Sequence, residues 1–307
     1  MDLTDRVRST CAQVIRHAEH VALDRDRLHE LAATFNEALP PVIAATVEFS
    51  EERAIRVLAG DAINFGSGYH DIIRKEPGLS GARTMQLRLD RYLDATGPLS
   101  WRRLRAITSE DCSQIFGQEL DGGASTELMN RFASALSDLG SFVAEAGGSA
   151  RAVLEHCEHS AVRLAEMLTV MPYYRDQERY AGMTVSFYKR AQITPADLYR
   201  NGLWSFADLP RLTAFADNLV PHVLRVDGAL ILHPDLAASI DRRERLEPGS
   251  KPEVELRAAA VVAVDQIVAS IDQPDVWALH VDQWLWERGG GARYKAVPRP
   301  RARSVFY

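Results

Sequence analysis

Apolar residues recur at helical spacing along most of the chain. Val7, Cys11, Val14, Ala18 and Val21 share one face of a 3.6-residue period. Leu28, Leu31, Phe35 and Leu39 share a face of the next segment, which Pro40-Pro41 terminates. The same spacing predicts helices over Met85 to Leu93, over Leu128 to Phe142 ahead of Gly147-Gly148, and through Val153, Cys157, Ala161, Leu164 and Leu168. Strand-like alternation is confined to Met183 to Tyr188 and Ala229 to Leu232, enough for a hairpin or ribbon and too little for a large sheet. The expectation is a mainly α fold: a helical, bundle-like body with at most a small β ribbon.

Two segments stand out. From Val254 to Ile271 apolar residues fall on every face, and a helix apolar all round belongs in an interior. Glu253, Glu255 and Arg257 lie in its first turn; acids there suit the helix dipole, and charges entering a buried region are also placed to orient a site. From Ile193 to Leu224 the punctuation is dense. Thr194-Pro195-Ala196-Asp197 reads as a helix start, Asn201-Gly202 as its end, and Leu209, Leu212, Phe215 and Ala216 as a second helix after Asp208. This is a helix-hairpin-helix pattern, and Pro221 begins a further helix, leaving Asp217-Asn218 at the junction.

Composition narrows the function classes. With 307 residues, 46% of them hydrophobic, the chain can bury a substantial core, and no stretch reads as a free linker. One compact unit over 1–307 is expected, with 1–175 and 176–307 as candidate sub-lobes. The longest apolar run, Ala258 to Val264, is far too short to span a bilayer. The charged N-terminus and three scattered cysteines (Cys11, Cys112, Cys157) fit a cytoplasmic protein with reduced thiols. A net charge of -6 argues against a stable nucleic-acid complex and for a small polar substrate. The exception is the C-terminal cluster of Arg288, Arg293, Lys295, Arg299, Arg301 and Arg303, whose aromatic end, Phe306-Tyr307, reads as a strap docked on the body rather than a solvated tail.

An Asp at a helix start is most often a cap, so Asp217 alone carries little. With Phe215 two residues earlier and Lys189 upstream of the hairpin, an aromatic face, a cation and a carboxylate would meet at one cleft. That trio suits a bond between a sugar and a base: the ring stacks the base, the carboxylate stabilises positive charge on the sugar, and the lysine meets a phosphate or hydroxyl. Metal ligation is weakly signalled. His17 with His20, and His156 with His159, are each three apart on expected helices, but no CxxC or HExxH accompanies them. Gly66-Ser67-Gly68 and Gly289-Gly290-Gly291 read as turns, lacking the flanks of a nucleophile elbow or a phosphate-binding loop.

Asp61-Ala62-Ile63-Asn64-Phe65, Leu212 to Asp217 with Val220-Pro221, Glu255 to Ala258, Asp282 with Leu285-Trp286, and Arg301 to Tyr307 together resemble, in order, the queuosine salvage family of queuosine 5′-phosphate N-glycosylases. The resemblance implies a fold similar to helix-hairpin-helix DNA glycosylases. It implies hydrolysis of queuosine 5′-monophosphate to queuine and ribose 5-phosphate, without metal or other cofactor, with Asp217 as the catalytic carboxylate and Phe215 beside the base. The chain departs from the family in having Gly66-Ser67-Gly68 after the Asn-Phe pair and Asn218-Leu219 after the Asp.

The chemistry of such a substrate directs the remaining candidates. Queuine lacks the N7 that helps a purine leave, so catalysis must lean on stabilising the oxocarbenium-like sugar and positioning water. Its side-chain amine is cationic and its guanine-type edge is rich in N–H donors, and both features call for acids. Asp282, on a segment with Trp284 and Trp286, and Asp61, near Asn64 and Phe65, are the acids expected there; Lys189 and Arg190 are the phosphate candidates. The competing readings are a DNA or tRNA base glycosylase on the same fold and a non-catalytic nucleoside-binding protein.

Overall fold

A computed structural model describes residues 1–35, 48–271 and 273–307 of the chain. Leu39 and Pro40-Pro41, expected to close the second helix, lie outside the described residues. The described residues are mainly helical, with two antiparallel two-stranded ribbons. Helices begin where the sequence supplies oxygen acceptors: Asp2, Asp24, Ser50, Ser80, Ser100 and Ser160 each accept the N–H three residues on. The chain divides into two compact units that interleave along the sequence.

The first unit holds residues 1–35, Asp176–Gln192 and Asp208–Arg303. Its centre is the helix Lys251–Ser270, buried on nearly every face as its all-round apolar pattern demands. Against it pack the helices Leu3–Arg16, Arg25–Ala33, Val220–Val226 and Ala278–Arg288. The first helix is shorter than its apolar spacing predicts. It ends at Arg16 because the buried Glu255 carboxylate accepts both the His20 backbone N–H (2.7 Å) and a contact from the His20 ring (3.2 Å), turning the chain away. Val21 instead opens a strand, Val21–Leu23, paired with Leu230–Leu232 in the register Val21↔Leu232. The other extended segment forms its own hairpin, Gln177–Tyr180 with Met183–Ser186.

The second unit holds 48–175, 193–207 and 304–307. The helix Ala124–Glu145 is its spine, and helices Glu51–Ala62, Trp101–Arg105 and Ser109–Phe116 pack on it. The single helix expected from Val153 to Leu168 is two, Ala150–His156 and Ala161–Leu168, because Glu158 and His159 take positive φ (51° and 59°) between them. Neither expected histidine pair therefore shares a helix face: His17 and His20 lie beyond the first helix, and His159 sits in this break, stacked on Trp204. The C-terminal end is docked, with Tyr307 buried and its backbone oxygen accepting the Gly66 N–H at 3.0 Å. No described helix is long and apolar enough to cross a membrane.

Candidate functional site

The segment around Asp217 departs most from its local pattern. The helix expected to start at Thr194 begins at Lys189 and runs to Arg200 with Pro195 inside it. The early start has a tertiary cause: Asp176, thirteen residues upstream, accepts the Lys189 backbone N–H on Oδ2 at 3.0 Å and takes the place of a local cap. The expected end holds, since Gly202 adopts φ +64° and the Gly202 and Leu203 N–H groups close on Tyr199 and Leu198.

The second helix of the expected hairpin is absent. Leu209–Arg211 makes one 3₁₀ turn, and the chain then runs extended from Leu212. Side chains from elsewhere in the first unit take up the backbone groups that a helix would pair internally. Arg8 donates to the Arg211 and Leu212 carbonyls (2.8 and 3.1 Å), and Gln192 Oε1 accepts the Thr213 N–H at 2.9 Å. Asp282 Oδ1 accepts the Phe215 N–H at 2.9 Å, and Arg257 Nε donates to the Ala216 carbonyl at 3.0 Å. An extended segment can be buried only when its polar groups are satisfied in this way.

Asp217 follows directly. Its Oδ1 accepts the N–H groups of Leu219 (2.7 Å) and Val220 (3.1 Å), so it does cap the helix Val220–Val226. Both bonds end on one oxygen, and Oδ2 accepts none among the described residues. The half-buried carboxylate is thus oriented rigidly by one atom and leaves the other for chemistry. Gly289, at the end of the helix bearing Asp282, lets this turn approach closely: a Cβ there would lie 2.8 Å from Leu219 Cδ1.

Beneath the turn lies a buried ion pair. Arg257, 1% exposed, donates through both terminal nitrogens to Asp176 (2.9 and 2.6 Å), and its guanidinium lies 4.0 Å over the Phe187 ring. The same Arg257 holds the Ala216 carbonyl, and the same Asp176 holds the Lys189 N–H. One hydrogen-bonded frame therefore joins the backbones at Lys189 and Ala216, while Asp282 fixes Phe215. Glu255 turns out to be committed elsewhere, to His20 and the Tyr180 hydroxyl.

Acids crowd the rim of this frame. Burial first, then the neighbouring Glu253, and to a lesser degree Asp176, push the Glu178 carboxyl up to about 7, with Arg257 opposing. A folded-state value above that of the unfolded chain means that the fold binds the extra proton. Glu178 therefore costs no stability below about pH 4.5 and progressively destabilises the fold as pH rises through about 7. Glu178→Gln is expected to raise the melting temperature at pH 8 and leave it nearly unchanged at pH 4.5; a parallel shift at both pH values would contradict this origin.

The other expected site residues are distributed as follows. Lys189 and Arg190 are buried at the start of their helix, Phe215 and Asp282 are buried, and Trp286 keeps 39% exposure. Trp284, beside it in sequence, packs edge-on against Phe35 at 5.4 Å. Asp61, Asn64 and Phe65 belong to the second unit. There Asp61 is buried near the end of the helix Glu51–Ala62, and Phe65 packs edge-on against Phe132 (5.2 Å) and Tyr173 (5.8 Å). Sequence reading missed Asp176, Gln192 and Thr213, because polar residues that satisfy distant backbone groups leave no periodic or motif signal. Among the described residues no three His, Cys, Asp or Glu side chains are grouped to hold a metal ion.

Comparison with known proteins agrees with the resemblance seen in the sequence. Residues 59–307 match the family model described as queuosine salvage protein. A protein of Sphaerobacter thermophilus named queuosine 5′-phosphate N-glycosylase/hydrolase is 33% identical, over 98% of this chain and 97% of its own. Proteins of the same name from Dictyostelium discoideum and Mus musculus are each 29% identical, over 84% and 71% of this chain and 79% and 70% of theirs. With a match this extensive and this specific, the chain belongs to the queuosine salvage protein family.

Proposed function

We propose that the protein hydrolyses the N-glycosidic bond of queuosine 5′-monophosphate, releasing queuine and ribose 5-phosphate. The observation that supports this best is the Asp217 carboxylate, pinned through Oδ1 and open at Oδ2, beside the buried Phe215. As the bond between C1′ and the base breaks, its electron pair leaves with the base and positive charge develops on the sugar. A fixed anion facing that carbon stabilises the charge without reorganising, an effect worth roughly 3–4 kcal/mol for a well-placed group. Water then adds to C1′, one of its protons passing to the carboxylate or to solvent, and the departing base takes up a proton in its turn. A 7-deazapurine is a poor leaving group, so the sugar side carries most of the catalysis. Lys189 and Phe215 serve the phosphate and the base in this scheme, with Trp286 as a further substrate contact. The buried free thiols fit a cytoplasmic setting.

The direct test incubates the protein with queuosine, its 5′-monophosphate and queuosine-containing tRNA, and follows free queuine by mass spectrometry. Release from the monophosphate is the expected result. Release only from tRNA would assign a polymer-acting glycosylase, and no release from any of the three would assign a binding protein.

Asp282 gives a sharper version of the question. Its carboxylate accepts the Phe215 N–H, and in this proposal it also meets the cationic base. Asp282→Asn keeps an oxygen acceptor for Phe215 but removes the charge. Losing a desolvated charged contact costs about 2–5 kcal/mol, so queuine affinity measured by isothermal titration should fall at least tenfold. Unchanged affinity would reduce Asp282 to a support for the Phe215 backbone.

A further inference from the structure

The helix Ala278–Arg288 meets the Asp217 segment twice, once on each side of the carboxylate. Asp282, in its second turn, accepts the N–H of Phe215, two residues before Asp217, at 2.9 Å. Gly289, its C-terminal cap, lies against Leu219, two residues after. Asp282 and Gly289 are seven residues apart in helical backbone, which puts them on one face. The backbone of Gly289 does not itself need a glycine, since φ −59° and ψ −17° are ordinary right-handed values. What needs it is space. A Cβ there would lie 2.8, 2.9 and 3.0 Å from Leu219 Cδ1, Cγ and Cδ2, well inside the roughly 3.5–4.0 Å at which carbon atoms rest. Gly289 is buried, whereas Gly290 and Gly291 are exposed, and a Cβ on either would meet its nearest neighbour, a backbone carbonyl, at 3.1 Å.

Both partners are held in place. Turning Leu219 about χ2 exchanges Cδ1 for Cδ2 and leaves Cγ where it is, so relief needs a new χ1 or a moved backbone. At the helical φ and ψ of Leu219 (−90° and −45°) the choice of χ1 is narrowed. Its backbone is tied on both sides. The N–H donates to Asp217 Oδ1 at 2.7 Å, and the carbonyl accepts the Val223 N–H at 2.9 Å, the first bond of the helix Val220–Val226. Across the contact, Arg288 immediately precedes Gly289 and donates to Asp227 Oδ2 at 2.8 Å, and Asp227 is the C-terminal cap of that same helix. Adjacent residues thus grip the two ends of one short helix: Gly289 lies at its start and the Arg288 side chain reaches its end.

We propose that Gly289 is a positioning residue for the Asp217 carboxylate, acting through Leu219, an assignment that rests on the hydrolysis proposed above. Asp282 sets the backbone ahead of the carboxylate and Gly289 sets the backbone behind it, so one helix face fixes where the charge stands. A methyl group at position 289 pushes Leu219 away, and Leu219 carries one of the two N–H groups that orient Oδ1. The charge is then kept and its place is lost. Displacing a catalytic group by about 1 Å costs up to roughly a hundredfold in rate. Phe215 stays bonded to Asp282, so the loss falls on kcat rather than on KM.

The test measures kcat and KM on queuosine 5′-monophosphate for wild type, Gly289→Ala, Leu219→Ala, the double variant and Gly290→Ala, together with amide hydrogen exchange at Leu219 and Val220 by nuclear magnetic resonance. Gly289→Ala is expected to lose roughly tenfold or more in kcat with KM little changed, and to exchange faster at both amides. Leu219→Ala removes the atoms that the new methyl would meet. Adding Gly289→Ala to it is therefore expected to change neither kcat nor exchange any further. Gly290→Ala is expected to match wild type. A folded Gly289→Ala protein with wild-type kcat, a loss that persists in the Leu219→Ala background, or an equal loss with Gly290→Ala would each overturn the assignment. If wild type releases no queuine, the hydrolase reading fails, while the exchange rates still decide whether Gly289 holds the turn. Should Gly289→Ala alone not fold, a double variant that folds with the kcat of Leu219→Ala supports the contact, and one that does not overturns it.

Discussion

Asp217→Asn is expected to fold normally and to lose queuine release by roughly a hundredfold or more, the equivalent of about 3–4 kcal/mol of transition-state stabilisation. The hydrogen-bond geometry makes this a clean experiment. Leu219 and Val220 both donate to the single oxygen Oδ1, and an asparagine carbonyl in the same position can accept both bonds. The cap of the helix Val220–Val226 is therefore preserved, and what changes is the atom at Oδ2, from a charged acceptor to an amide donor. Stability by thermal denaturation should stay close to wild type, while kcat falls on both the monophosphate and the nucleoside. Asp217→Ala removes the cap as well and should cost about 1 kcal/mol of stability in addition. Near wild-type turnover in a folded Asp217→Asn protein would leave the carboxylate as a cap and nothing more.

The fold was legible in the sequence wherever a segment's own pattern decides its structure. The helix Lys251–Ser270 is apolar on all faces and is buried on nearly all of them; the helix Ala124–Glu145 follows its spacing up to Gly147-Gly148. Legibility fails where remote side chains override local preference. Thr194-Pro195 has every local mark of a helix start, yet the helix begins at Lys189, because Asp176 satisfies an N–H that no nearby residue could. Leu209 to Ala216 is spaced like a helix and is not one, because Arg8, Gln192, Asp282 and Arg257 satisfy its backbone groups. Apolar spacing reports which side chains are buried; it does not report which backbone groups find partners outside their own segment. The candidate site shows both sides of this. Asp217 could be picked out by its neighbours and by the family resemblance, whereas the frame that holds its segment extended is built from polar residues far apart in sequence.

That frame sets the second large effect. Arg257 and Asp176 are both almost fully buried and meet through two hydrogen bonds, so removing either takes a buried counter-charge from the other. Arg257→Met leaves the Asp176 carboxylate without this cation and the Ala216 carbonyl without this donor; Asp176→Leu takes two hydrogen bonds from the guanidinium and leaves Glu253, 3.9 Å away, as a more distant counter-charge. Each single change is expected to destabilise the protein by about 3–5 kcal/mol in urea unfolding. That is a large part of the roughly 5–15 kcal/mol that holds a domain of ordinary stability. The double variant should be clearly more stable than the sum of the two losses predicts, since the paired charges of Arg257 and Asp176 are then removed together. Its activity should not recover in proportion. The Ala216 carbonyl and the Lys189 N–H would still lack the partners that hold the backbone on either side of the substrate groups, so kcat should remain depressed in a protein that unfolds cooperatively. Single variants within about 1 kcal/mol of wild type would show that the pair is dispensable to the fold. A double variant that regains full kcat along with its stability would show that the pair positions nothing, and that the Asp217 turn is held by Asp282, Gln192 and Arg8 alone.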